Sequence, residues 1–156
     1  MTQEEIQVRR ASTADAAALA QLLDEFNREF GEPTPGVERL TATVAELLGR
    51  GEAIALLAGD GPDGLAVLRL RTAIWTGAPE AHLQELYVVP PLRGRGIGGA
   101  LLAATMEAAR AQGATTIDLN TSTDDKAAIS LYESRGFTNR EGSPDGPSML
   151  FYEREL

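Results

Sequence analysis

The chain has no cysteine among its 156 residues. That excludes disulfides, thiolate nucleophiles and zinc–sulfur centres, and it is compatible with a reducing compartment. Histidine is almost as scarce: His82 stands alone, so a histidine-rich metal site is excluded and no metal is expected. Basic residues are few, with 14 Lys and Arg against 23 Asp and Glu, for a net charge of −9. Such an acidic chain has no general electrostatic affinity for nucleic acid or an anionic membrane, and neither is expected as a partner. No apolar run reaches the roughly 18 residues of a membrane span. The opening residues, MTQEEIQVRR, lack the apolar core of a secretion signal. These absences predict a soluble, cytoplasmic protein.

What is present suffices for one core, and the chain reads as a single domain over 1–156. IQVRRAS (6–12) alternates apolar and polar residues as a strand does. Ser12 or Thr13 then caps a helix to about residue 30, with Leu19, Leu22, Leu23, Phe26 and Phe30 at helical spacing. GEPTPG (31–36) breaks it, and a second helix follows over 36–49. Strands are expected at 53–59, 65–75 and 81–89, the first two flanking the turn DGPDG. A helix over 97–111, a strand over 115–122, a helix over 124–135 and two last strands, 137–141 and 148–155, complete the order. The fold class is α/β of the α+β type: a mixed, mostly antiparallel sheet of six to seven strands flanked by about four helices.

The chemistry centres on PPLRGRGIGGALL (90–102). Gly94-Arg95-Gly96-Ile97-Gly98-Gly99 fits G-x-G-x-x-G, a dinucleotide turn, and Asp118 stands near where that motif's ribose-binding acid belongs. Against this reading, Pro90 to Arg93 separate the strand from the first glycine, where a dinucleotide turn is tight. Asp118 also lies inside its strand, and only 38 residues follow it. The string Arg93-x-x-Gly96-x-Gly98 cradles a pyrophosphate in another way. Its glycines admit the backbone to a diphosphate, the first N–H groups of helix 97–111 lie at the positive end of the helix dipole, and Arg93 and Arg95 add charge.

With its left flank, LYVVPPLRGRGIGGALL (86–102) resembles the acetyl-coenzyme A segment of the GCN5-related N-acetyltransferase (GNAT) family. DKAAISLYESRGF (125–137) resembles that family's second hallmark, N-x-x-A-x-x-L-Y-E-x-x-G-F, with Asp125 where Asn is usual. The resemblance covers essentially the whole chain. It implies an N-acetyltransferase that moves an acetyl group from acetyl-CoA to a primary amine of a small molecule or peptide, by direct attack in a ternary complex. The alternative within this fold is a non-catalytic, regulatory binder of acyl-CoA.

Acetyl transfer from a thioester needs a neutral amine, a donor for the tetrahedral oxyanion and a proton for the departing thiolate. Tyr132, a phenol with an ordinary pKa near 10, is the proton donor the resemblance implies, although its spacing also suits a core position. The base is Glu85 or His82. The family's strand commonly reads LEDLYV, whereas this chain reads LQELYV, with Gln84 in the Glu position. Strand alternation would put Leu83, Glu85, Tyr87 and Val89 on one face and His82, Gln84, Leu86 and Val88 on the other. By resemblance, the coenzyme is held by backbone around Leu86, Tyr87 and Val88, by Arg93, Gly94, Arg95, Gly96, Ile97, Gly98 and Gly99, and by Asn120 and Asp125. A splay between strands 81–89 and 115–121 would admit the pantetheine arm, and an N–H near Val88 would serve the oxyanion. Phe26, Glu29, Phe30, Glu32 and Trp75, with Glu85, offer the acid and aromatic groups that suit a cationic acceptor. Homodimerisation is common in the family, and the C-terminal strands offer edges for it.

Overall fold

The computed structural model describes residues 5–156, which fall into two compact units, one ending at Leu119 and the other spanning Asn120–Leu156. The first holds a five-stranded sheet in the order β1-β2-β3-β4-β5. Its strands are β1 (Val8–Arg10), β2 (Ala53–Ala58), β3 (Gly64–Thr72), β4 (Pro79–Val88) and β5 (Ile117–Leu119). All neighbours are antiparallel except β4 and β5, which run parallel and are joined through helix α3 (Ile97–Ala111). Strand β4, helix α3 and strand β5 thus make one parallel crossover unit.

Ser12 does cap the first helical segment, in a reciprocal box. Its hydroxyl accepts from Ala14 N at 3.3 Å while Asp15 accepts from Ser12 N at 2.8 Å. A short 3-10 turn, Thr13–Asp15, leads into helix α1 (Ala16–Glu29). The helix stops at Gly31, whose φ of +70° lets Glu32 N reach back to Asn27 O at 2.8 Å. The connection to helix α2 (Val37–Gly49) is tied down by Thr34, which donates to Asp24 at 2.6 Å, and by Asn27, which donates to Pro33 O at 2.8 Å.

Helices α1 and α2 cover one face of the sheet. Leu19 and Leu22 pack with Ala55, Leu57, Leu65 and Tyr87, supported by Leu23, Phe26, Val44, Leu48 and Val67. On the other face, Ile54, Leu68 and Ala81 meet Ala109 of α3. Leu19, Leu57, Leu65, Leu68, Leu101 and Leu102 are fully buried. Truncating any of these to Ala costs about 2–5 kcal/mol.

The second unit contains helix α4 (Lys126–Ser134). The strands expected at 137–141 and 148–155 meet only in an isolated bridge, Arg140 with Ser148, so the sheet has five strands rather than six or seven. A lone two-stranded ribbon is marginal, and Met149, Leu150, Phe151 and Tyr152 stay exposed and unladdered among the described residues. The mixed α/β class and its four helices stand as expected.

Candidate active site

The site is built on β4, and β4 is not regular. Val67 pairs with Glu85 and Leu68 with Leu83, so Gln84 is an extra residue with no counterpart on β3. This corrects the expected faces. Before the bulge, Leu83 lies opposite Leu68 on the α3 side. After it, Glu85 lies opposite Val67 and Tyr87 opposite Leu65, on the α1/α2 side. His82, opposite Arg69, is on the α1/α2 side as well. Strict alternation separates His82 from Glu85, whereas one added residue brings them to the same face.

Glu85 forms part of the floor of a cleft of about 190 Å³ under α1 and α2. Around it are Leu23, Leu40, Val44, Leu47, Leu48 and Val67, with Asn27, Thr43 and Gln84 supplying the other polar groups. Burial pushes the Glu85 carboxyl above its ordinary value, and nearby His82 offsets part of that rise. A carboxylate in a mostly apolar cleft, made a stronger proton acceptor by burial, has the character of a general base.

His82 is half-buried, and its Nδ1 lies 2.5 Å from Asp118 Oδ1 on β5, its parallel partner in the sheet. The other Asp118 oxygen is 3.7 Å from Arg71, which also donates to Glu80 at 2.5 Å. Arg69 is occupied by Glu52 O at 2.8 Å and by Gln84 at 3.3 Å. The α1/α2 face of β3 and β4 thus changes from an apolar floor near Glu85 to a charged margin beyond His82.

Past Val88 the chain makes a 3-10 turn, Pro90–Leu92, and enters the glycine loop. Gly94 and Gly96 have φ of +77° and +89°, which only glycine adopts without strain. A Cβ on Gly94 would meet nothing within 4 Å, so conformation, not space, requires glycine there. Gly96 caps α3, and the first intrahelical bond is Ala100 N to Gly96 O at 3.0 Å. The amides of Ile97, Gly98 and Gly99 precede that bond at the positive end of the helix. Gly94, Arg95 and Gly96 are exposed. These residues fit a diphosphate.

Arg93 has a different place. Its guanidinium makes a two-pronged ion pair with Glu29 of α1, at 2.8 and 2.7 Å, and its Nε donates to Val88 O at 2.9 Å. The cation also lies 5.5 Å from the centre of the Tyr87 ring. The Tyr87 hydroxyl donates to Glu29 at 3.2 Å, and its ring packs on Phe26. Arg93, foremost among these partners, holds the Glu29 carboxyl below its usual range. Tyr87 thus keeps its side chain in the core and leaves only its backbone to the edge. On that edge, β5 pairs with β4 at Ala81, His82 and Leu83 alone. No strand described in this sheet runs beside 84–88 on the side away from β3.

In the second unit, Asn120 follows β5 directly, and Asp125 caps α4 by accepting from Ala128 N at 3.0 Å. Gly136, at φ +88°, lets Phe137 N reach Tyr132 O at 3.1 Å, and the two rings sit 5.8 Å apart. The G-F of the second hallmark is thus a helix stop that fixes its tyrosine. Burial, and secondarily the Asp125 charge, raise the Tyr132 phenol above its ordinary value, so it holds its proton at neutral pH.

Of the acceptor candidates, Phe26 packs against Phe30 and Tyr87 in the core margin, and Glu29 is held by Arg93. Glu32 is exposed after the α1 stop. Trp75 is 97% exposed at the tip of the β3–β4 hairpin, and only Glu85 of this group lines the cleft. Sequence reading missed Asn27, Thr43 and the leucines of α2 as cleft residues. Their helical spacing marks them as an apolar face without saying that it covers a carboxylate.

The chain matches the acetyltransferase (GNAT) family over residues 18–137. It is 31% identical over 137 residues to the uncharacterised N-acetyltransferase YhfO of Bacillus subtilis, covering 86% of this chain and 91% of that one. It is 33% identical over 138 residues to the aminoglycoside N(6')-acetyltransferase type 1 of Stenotrophomonas maltophilia, covering 86% and 87%. Among solved structures, a protein of Arthrobacter sp. FB24 assigned as an acetyltransferase superposes with a TM-score of 0.90 at 44% identity, over 100% of this chain and 99% of that one.

Proposed function

The chain belongs to the GNAT family of N-acetyltransferases, and on that premise we propose that it moves the acetyl group of acetyl-CoA to a primary amine of a small molecule or peptide, by direct attack in a ternary complex. The observation that carries this reading is the course of β4. One strand runs from a partly buried carboxylate of raised proton affinity, Glu85, along an edge that no described strand pairs, to a glycine loop at a helix N-terminus.

Each residue then has a task. Glu85 takes a proton from the acceptor ammonium, and the freed nitrogen attacks the thioester carbonyl. The N–H near Val88 donates to the oxygen that becomes negative as the C–N bond forms. The C–S bond breaks, and Tyr132 gives its proton to the departing thiolate. The second proton that the attacking nitrogen sheds as the amide forms passes through water to restore the Tyr132 phenol. Support for Tyr132 is its place in the L-Y-E-x-x-G-F segment and a phenol that keeps its proton. The loop from Gly94 to Gly99 would hold the diphosphate, with Arg95 adding charge, and the edge at 84–88 would pair with the pantetheine arm. Asn120 and Asp125 would steady that arm or Tyr132, and the two units would serve one domain, as the family match across both suggests. A cleft in which one partly buried carboxylate stands among mostly apolar side chains suits a cationic acceptor, and one relative bears the name of an aminoglycoside acetyltransferase.

Calorimetric titration with acetyl-CoA and, separately, with NAD(H), followed by thiol release over an amine panel, tests the proposal. Micromolar binding of acetyl-CoA and amine-dependent thiol release are expected. Binding of NAD(H) alone, or thiol release indifferent to amine, would refute it.

A further inference from the structure

A proton taken by Glu85 from an acceptor must leave a cleft whose lining is largely apolar, and among the described residues one titratable group, His82, stands between that cleft and the charged margin of the sheet. It shares the face of Glu85 because of the extra residue at Gln84, and it is close enough for its charge to act on Glu85. The charged and polar groups around it are few. Arg69 and Arg71 face it from β3, and Glu80, Gln84 and Glu85 from its own strand. Asp118 faces it from β5. Arg69 is engaged by Glu52 and Gln84, and Arg71 by Glu80 and Asp118. Asp118 alone among these makes a hydrogen bond to the ring, at Nδ1.

A carboxylate only accepts hydrogen bonds, so a ring nitrogen 2.5 Å from it must carry hydrogen. In the neutral ring the other nitrogen, Nε2, is then the bare acceptor. We propose that Asp118 is a positioning residue for acetyl transfer: it fixes His82 in the Nδ1–H form, so that Nε2 receives the proton Glu85 has removed from the acceptor and passes it to solvent. The proposal rests on the reading of Glu85 as the base. The proton balance is simple. The ammonium loses one proton to Glu85, Glu85 returns to carboxylate as Nε2–H forms, and Nε2 releases that proton to water. His82 side-chain exposure of 30% against 61% for Asp118 puts the imidazole at the boundary such a relay needs.

Since His82 is the sole histidine, labelling with 15N-histidine gives one imidazole to observe, without assignment ambiguity. In the wild-type protein at a pH where the ring is neutral, Nδ1 should have the protonated, pyrrole-type signature and Nε2 the bare, pyridine-type one. Asp118→Asn can donate its amide to Nδ1 and should invert this pattern. It should also lower kcat for an amine acceptor by about 10²-fold with little change in KM. Asp118→Glu should keep the wild-type tautomer and recover most of the rate. His82→Gln should cost a similar factor, and Asp118→Asn should then cost little more in that background.

Circular dichroism establishes that each variant is folded, as expected for an exposed carboxylate. A wild-type ring in the Nε2–H form overturns the proposal. So does an Asp118→Asn variant that leaves the tautomer unchanged, or inverts it without loss of kcat. A protein that shows the Nδ1–H form yet acetylates no amine overturns the function reading itself, and the relay with it. The spectrum thus separates the two failures.

Discussion

Replacing Glu29 with Gln distinguishes two roles for Arg93 that predict opposite signs. If the guanidinium grips the coenzyme diphosphate directly, Glu29 competes for it, and Glu29→Gln should tighten acetyl-CoA binding. The geometry favours a staple instead. Two charge-assisted bonds to Glu29, a third to Val88 O and a place against the Tyr87 ring tie the strand end and the glycine loop to α1. Exposed ion pairs contribute about 0.2–1 kcal/mol. The paired geometry raises this one, while side-chain exposures of 42% for Arg93 and 27% for Glu29 discount it for solvent screening. A coupling energy of about 1 kcal/mol follows, which in a domain of this size is about 2–4 °C in Tm. A double-mutant cycle with Arg93→Met, read by thermal unfolding, measures it, and the coupling should shrink as salt is added. Calorimetry on the same four proteins should show acetyl-CoA binding weakened about five-fold in Glu29→Gln. Tighter binding in that variant, or a coupling below about 0.3 kcal/mol, would refute the staple.

Tyr132→Phe should reduce kcat about 10²-fold or more while acetyl-CoA binds as before; an unchanged rate in a thiol-release assay would remove the phenol from the mechanism. Glu85→Gln should abolish most turnover and also alter stability in a pH-dependent way. Because burial raises the folded carboxyl above its ordinary 4.5, the native state binds more protons than the unfolded chain between the two values. Glu85 is therefore best tolerated below about 4.5, and wild-type stability falls relative to Glu85→Gln as pH rises through the folded value. Denaturant melts across that range would contradict this if the two proteins stayed parallel.

Much of the architecture was legible because it depends on local pattern. Ser12 as a cap, the helix stops at Gly31 and Gly136, and the glycine loop before α3 are all short-range chemistry, read from neighbouring residues. The positive φ of Gly94 and Gly96 adds a conformational reason that the sequence reading, built on close approach, did not include. What escaped depends on register or distance. The bulge at Gln84 leaves LQELYV looking like any alternating strand, since periodicity counts residues and cannot see which one lacks a partner. The Glu29–Arg93 pair spans 64 residues, and His82 finds Asp118 only once two parallel strands are in register. Asp118 attracted notice as the acid of a dinucleotide site; in the structure its oxygens face an imidazole and an arginine. The last two strands failed for another reason. Their sequence has the right propensity, but one bridge around GSPDGP is all the pairing they make.

The extra residue in β4 makes the site depend on an irregular backbone more than on the identity of the residue that bulges. Substitutions at Gln84 forfeit a 3.3 Å bond from Arg69 and leave the backbone offset intact. Losing the residue would regularise the strand and keep its faces: counted back from Tyr87 in its core position, Glu85 and His82 would still lie on the α1/α2 side, with Leu83 between them on the other. The arrangement is undone by a different change, one that takes Gln84 into a regular ladder, because strict alternation over 82–87 then turns His82 to the α3 face. A lineage of such proteins can exchange, or even lose, the bulged residue; what it must avoid is a strand that pairs it.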